Sequence, residues 1–238
     1  MADGMSIRVV LFDLDDTLFA HRKAVDDGIV AHLTASGLPS EDAVVSWHEL
    51  EEQHYPRYLT GEVGFFEQRR IRSRALAEPL GVSLPTDHLA DAWYDAYFLH
   101  YRDAWSLHDD ALACLDALDA RGLRIGLITN GDLGFQTEKL DRVALAARIE
   151  IVVASGELGV AKPDPAIFLH ACSLFGVAPS EAMYVGDRLQ TDAIGAASAG
   201  LAGVWLNRSG VTTAEEDAAV AASGVRVITS LAGLPGLL

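Results

Sequence analysis

The 238-residue chain is poor in cysteine, in positive charge and in long uninterrupted apolar stretches. Its two cysteines, Cys114 and Cys172, stand far apart in ALACLDAL and FLHACSLF. Both stretches are helix-patterned, and there a thiol is most simply a small core residue. Neither cysteine fits a CxxC or zinc spacing, which argues against a disulfide framework and makes a reducing cytoplasm the expected setting. The 18 Lys and Arg against 34 Asp and Glu leave a net charge of -16, the wrong sign for gripping a nucleic-acid backbone. No apolar run approaches the roughly 18 residues of a membrane span, and MADGMSIR has no apolar signal core, so no membrane partner or export is expected. What the chain does have is apolar mass. Half its residues are hydrophobic, enough for one α/β domain or a domain with a sizeable insertion.

Two textures run along it. From residue 105 onward, helical patterns alternate with short apolar blocks: LRIGLITN, IEIVVAS, AMYVGD, AGVWLN and VRVIT. That alternation is a βαβ series and predicts a Rossmann-like parallel sheet flanked by helices, with residues 7–13 as its first strand. Residues 20–104 carry most of the histidines, show helical periodicity and contain no buried-strand block. They read as an all-helical insertion, with breaks near Gly37-Leu38-Pro39, Thr60-Gly61 and Pro79 to Pro85. The expected organisation is a core of residues 1–19 and 105–238 with a helical domain over 20–104.

In open parallel sheets ligands bind beyond the carboxyl ends of the strands. Here those ends read Asp13-Leu14-Asp15, Thr129-Asn130-Gly131, Ala154-Ser155-Gly156 and Gly186-Asp187, with Lys162 and Asp192 close behind in sequence. Carboxylates at the end of a buried strand need a partner. Hard oxygen ligands in this mixture suit Mg²⁺, which would offset the repulsion among Asp13, Asp15 and Asp187 while Lys162 supplies a second positive charge. A phosphoryl group placed there would meet Lys162, Thr129 Oγ and backbone N–H groups of the turn after Asp13, beginning at Leu14. Asp13 can face phosphorus as a nucleophile, and Asp15, two residues on, could protonate a leaving oxygen and later deprotonate water. Asp16 has no evident role, and Thr17 is expected to tie the turn by hydrogen bonding. Asp192 could equally cap the helix that follows it. Asn130 and Gly131 serve either as a turn or as phosphate contacts.

These residues resemble the four motifs of the haloacid dehalogenase superfamily in order: Asp13-Leu14-Asp15-Asp16-Thr17, Thr129 in LITNG, Lys162 in AKPDP, and Gly186-Asp187 with Asp192. The stretches LITNGDLGFQTEKL and SGELGVAKPDPAIF look most like the branch containing pyrimidine 5'-nucleotidases and N-acylneuraminate-9-phosphatases. The resemblance implies a Rossmann-like core with a helical cap inserted between the first two motifs, and Mg²⁺-dependent hydrolysis of a small phosphorylated metabolite through an aspartyl-phosphate. By it Asp13 is the nucleophile and Asp15 the acid/base. The metal is held by Asp13, Asp187 and the Asp15 backbone carbonyl, with Asp192 behind them. Phosphomutase chemistry and a non-catalytic phosphate- or metal-binding module are the alternatives, and a monomer or homodimer is expected.

Within the insertion, RRIRSR at 69–74 sets Arg70 and Arg74 on one helix face and Arg69 and Arg72 on another. A solvated basic face is one reading. The other sends Arg70 to the substrate. Trp47, Phe65 and Phe66 read as the insertion's small core.

Overall fold

The computed structural model describes residues 6–238. The chain divides into two compact units, one spanning His21–Trp105 and the other formed by the chain up to Ala20 together with Ser106–Leu238.

The His21–Trp105 unit holds four helices, α1 (His21–Ala35), α2 (Ala43–Leu59), α3 (Phe65–Ala77) and α4 (Asp87–Asp103). Gly37 and Gly61, both at positive φ, follow the first two, and Thr86 starts α4 by accepting the Leu89 N–H at 3.3 Å. α1 packs on α4, and at their crossing a Cβ on Gly28 would lie 2.7 Å from Tyr101 Cα, so only glycine fits. Trp47 is the buried centre, with the rings of Trp93, Tyr94 and Tyr97 around it. Phe65 and Phe66 do not join it. They are 37% and 61% exposed, because they open α3 where the chain has just left the bundle at Gly64.

The other unit is built on six parallel strands, β1 (Val9–Phe12), β2 (Arg124–Thr129), β3 (Ile151–Ala154), β4 (Ala182–Gly186), β5 (Ala202–Leu206) and β6 (Arg226–Ile228), in the order β3-β2-β1-β4-β5-β6. All four β1 residues are fully buried, as a strand covered on both faces must be. Each such side chain contributes about 1.5–3 kcal/mol by leaving water. Leu11 lies opposite Gly126 and Tyr184, and Phe12 opposite Leu127 and Val185. The chain builds outward from β1 to one side, then returns to build on the other. The order therefore reverses between β1 and β4, where a crevice opens beyond the strand ends.

Helices cover the sheet: α5 (Ala111–Asp119), α6 (Leu133–Arg142), the short α7 (Ser155–Leu158), α8 (Pro165–Phe175), the short α9 (Gly195–Ser198) and α10 (Ala214–Ser223). Asp132 accepts the Phe135 N–H at 2.9 Å to start α6, and Asp164 with Pro165 starts α8. The helix expected from Asp192 begins earlier, as a π-helical turn over Leu189–Ile194. α10 fills a stretch for which the sequence reading had no element.

Candidate active site

The first strand delivers Asp13 one residue past its end, with its N–H bonded to Val185 O at 2.9 Å. The chain then turns hard. Leu14 O accepts the N–H groups of Leu18 and Phe19 at 3.1 and 2.9 Å, and Asp16 sits at φ 58°. Thr17 joins through its backbone N–H, 3.3 Å from Leu14 O; its buried hydroxyl has no partner among the described residues. Leu14 itself is fully buried, so only its backbone can serve a ligand.

Lys162 reaches this point from the segment between β3 and α8. Its Nζ donates to Asp13 Oδ1 at 2.6 Å, Asp192 Oδ1 at 2.7 Å and Tyr184 Oη at 2.8 Å, so all three of its N–H bonds are engaged. Asn130 fixes the loop that carries it: its Nδ2 donates to Lys162 O at 2.9 Å, and its Oδ1 accepts the Lys162 N–H at 2.8 Å. Asn130 therefore acts on the site through Lys162. Gly131 O accepts the Gly156 N–H at 2.9 Å, tying the ends of β2 and β3 together.

The fourth strand ends at Gly186 and Asp187. A Cβ on Gly186 would lie 2.5 Å from the Asp192 side chain, which is why the residue before Asp187 must be glycine. Asp192 lies inside the π-helical turn. It does not cap a following helix in the ordinary way; its Oδ2 accepts the Arg188 N–H at 3.0 Å while Oδ1 meets Lys162. Oxygens of Asp13, Asp187 and Asp192 all lie within 4.8 Å of one another.

Burial pushes the Asp13 carboxyl up to about 7, against the pull of the Lys162 ammonium, and pushes Asp187 up to about 8 with Asp13 adding to it. Burial acts to lower Lys162, but Asp13 and Asp192 hold it above its ordinary value. Three carboxylates lie together with one ammonium, which bonds Asp13 and Asp192 but not Asp187, so the site is short of positive charge. A hard divalent cation fits that deficit and that donor set.

Thr129 closes β2, 2% exposed, with Asp15 across from it. The sequence reading missed what joins them. Gln136 Nε2 donates to Thr129 Oγ1 at 2.7 Å and to Asp15 Oδ2 at 3.2 Å, and Lys139 Nζ donates to the two Asp15 oxygens at 2.6 and 2.9 Å. The available signal was weak: an i, i+3 polar pair on α6, beginning seven residues after Thr129. Tyr184 was missed as well, because within AMYVGD it reads as one more apolar residue.

Arg70 lies in the other unit. Its Nε and Nη2 each donate to Asp91 at 2.8 Å, and its Nη1 donates to Asp87 at 3.1 Å. The run around it is no solvated basic face. Arg72 is 2% exposed with its guanidinium 4.4 Å from the Trp47 ring, and Arg69 stands 4.0 Å over Phe65.

The sequence matches the family model described as haloacid dehalogenase-like hydrolase over residues 7–200. It is 36% identical over 228 residues to a phosphoserine phosphatase of Thermus thermophilus, covering 85% of this chain and 89% of that protein. Over 106 residues, 44% of this chain and 42% of the other, it is 42% identical to the N-acylneuraminate-9-phosphatase of Rattus norvegicus. The fold matches the HAD-hydrolase YfnB of Bacillus subtilis, solved with magnesium, at a TM-score of 0.78 and 20% identity, covering 98% of this chain and 99% of that one. Among the described residues no helix is long and apolar enough to cross a membrane. A non-catalytic module is thereby set aside: the chain belongs to the haloacid dehalogenase-like hydrolase family and is a phosphoric monoester hydrolase.

Proposed function

We propose that the chain hydrolyses the phosphate ester of a small metabolite in two steps through Asp13. The observation that carries this reading is the buried Asp13 carboxylate held 2.6 Å from Lys162 at the strand end, with Asp15 and Thr129 joined beside it. The two relatives share a phosphate monoester and little else in their named substrates, so the common element is the phosphoryl group.

In the first step an Asp13 oxygen forms a bond to phosphorus while the ester P–O bond breaks, and Asp15 gives its proton to the departing oxygen. In the second, Asp15 takes a proton from water as the water oxygen bonds to phosphorus. The bond to Asp13 breaks and inorganic phosphate leaves. Lys162 offsets the charge of Asp13 and of a phosphoryl oxygen that shares one of its N–H bonds. Thr129 Oγ and the N–H groups at Leu14 and Gly131 are the remaining contacts for phosphate. Asp13, Asp187 and the Asp15 carbonyl would hold Mg²⁺, with Asp192 behind them. When bound, the ion supplies Lewis-acid polarisation of a phosphoryl oxygen.

The test is phosphate release from phosphoserine, sugar phosphates, nucleoside monophosphates and 4-nitrophenyl phosphate, with Mg²⁺ or with chelator. Turnover is expected only with Mg²⁺, and Asp13→Asn is expected to lower it by about a thousandfold or more, the scale of losing a covalent nucleophile. Acid quenching should trap label on Asp13. Turnover that survives in Asp13→Asn overturns the reading.

A further inference from the structure

Lys139 is 1% exposed and Gln136 is 3% exposed. They project from the same face of α6, one turn apart, toward a residue more than 120 positions away in sequence. A buried ammonium needs a strong reason to be there. Its reason here is Asp15, whose two oxygens it holds, while the rings of Phe135 and Phe19 lie 4.8 and 5.0 Å from its nitrogen and limit where it can go. Protonation of one Asp15 oxygen leaves the other able to accept from Lys139, so the grip persists in both protonation states.

Gln136 completes the arrangement through the polarity of its amide. An ionised carboxylate only accepts hydrogen bonds, so the atom facing Asp15 has to be the NH₂ nitrogen. That nitrogen also faces Thr129 Oγ1, which must therefore accept from it. The hydroxyl proton of Thr129 is then left to donate elsewhere. The amide oxygen, Gln136 Oε1, is buried without a partner among the described residues. Leaving it so carries a penalty, and the reverse orientation would set an oxygen against the Asp15 carboxylate as well.

We propose that Gln136 and Lys139 are positioning residues: Lys139 fixes the Asp15 carboxylate where proton transfer occurs, and Gln136 directs the Thr129 hydroxyl proton to the phosphate. This rests on the reading of Asp15 as the acid/base. Lys139 acts through Asp15, and Gln136 through Thr129 and Asp15.

The experiment compares kcat/KM, which reports the steps through departure of the leaving group, for an alkyl phosphate and for 4-nitrophenyl phosphate, whose phenolate leaves without a proton. Lys139→Met is expected to lose about tenfold or more on the alkyl ester and less than about threefold on the aryl ester, the scale of one charge-assisted contact. Lys139→Arg should recover most of the loss. In an Asp15→Asn background, Lys139→Met should add nothing. Gln136→Met should raise the inhibition constant for inorganic phosphate by about fivefold or more, the scale of one hydrogen bond. Equal losses on both esters, a loss that persists beside Asp15→Asn, or unchanged phosphate inhibition in Gln136→Met overturns the proposal. Asp15→Asn alone, with Lys139 intact, separates the two failures. If it shows no leaving-group dependence, the acid/base reading falls first and this inference with it.

Discussion

The carboxyl rim of the sheet and helix α3 both concentrate charge, yet they balance it in different ways. At the rim, three carboxylates gather beside one ammonium that bonds only Asp13 and Asp192 among them, and of the four groups only Asp187 keeps partial access to solvent. On α3, four arginines within six positions find partners inside their own unit. Arg72 lies against Trp47 with Glu51 at 3.3 Å, Arg69 over Phe65 and Tyr94, Arg70 on Asp91 and Asp87, and Arg74 on Asp87 at 2.6 Å. Charge that is fully partnered holds a fold together, and charge left in deficit invites a ligand. The rim is where the proposed cation and phosphoryl group would complete the electrostatics. On α3 each guanidinium already meets a carboxylate or an aromatic face, with the Nε atoms of Arg69 and Arg72 buried and unbonded among the described residues.

The largest way to break that contrast is to remove the rim's ammonium. Lys162→Met leaves Asp13 and Asp192 facing each other with no cation between them, which costs about 3–5 kcal/mol. Turnover should fall by about a hundredfold or more, as when a transition-state charge partner is lost. Denaturant midpoints with and without Mg²⁺ read the stability, and the metal should restore more of it in the variant than in the parent. A variant as stable as the parent in chelator would show that the rim is not short of positive charge.

A second test uses pH, because the two units carry groups that titrate with opposite sign. The carboxyls of Asp13 and Asp187 are raised from 3.8 to about 7 and about 8, chiefly by burial, so the folded state binds protons that the unfolded state releases. Their contribution is fully present below about pH 4 and is lost as pH rises through 7 to 8. His32 runs the other way. Burial, with His100 adding to it, lowers it from 6.5 to about 4; its ring sits edge-on to Trp93 and its Nε2 has no partner among the described residues. The unfolded state then binds the extra proton, so stability from His32 is present above pH 6.5 and is lost as pH falls toward 4. Each group changes stability by at most about 1.4 kcal/mol per pH unit inside its window. Chelated protein should lose stability from pH 6.5 to 8, and Mg²⁺ should flatten that loss. His32→Gln should change the slope only below 6.5. A slope above 6.5 that Mg²⁺ leaves untouched would contradict the assignment of the rim carboxylates.

The same contrast explains how far the sequence could be read. Parallel strands buried on both faces appear as apolar blocks, so a polar residue ending one stands out, and Asp13, Thr129 and Asp187 were legible for that reason. Lys162 was legible by its place in AKPDP. Gln136 and Lys139 were not, since on an amphipathic helix a polar face ordinarily meets water, and only the packing of α6 turns this one inward. For the same reason a solvated face is one natural reading of Arg69 and Arg72 in sequence, where the aromatic faces that cover them do not show. α10 did carry a signal in Thr213 and Glu216, whose capping box starts it, but its alanine-rich body has no strong apolar stripe. The exposure of Phe65 and Phe66 depends on where α3 begins, which composition does not reveal.

The smallest expected effects lie on α3, where Arg70 and Arg72 can be separated. Arg72→Met removes a guanidinium buried against Trp47 and should lower stability by about 1–2 kcal/mol, the range for a desolvated cation–π contact and its stem packing. Arg70→Ala removes a partly exposed guanidinium from Asp91 and Asp87 and should lower stability less than Arg72→Met does. Because three of its donor nitrogens are already engaged by those two carboxylates, a substrate group would have to displace an aspartate to be gripped. The expected outcome is therefore kcat/KM within about twofold of the parent for both 4-nitrophenyl phosphate and the best metabolite substrate, as for a residue making no contact with either. A loss of about tenfold confined to the metabolite would instead place Arg70 on the leaving group. It would also move α3 from the side of completed charge to the side that waits for a ligand.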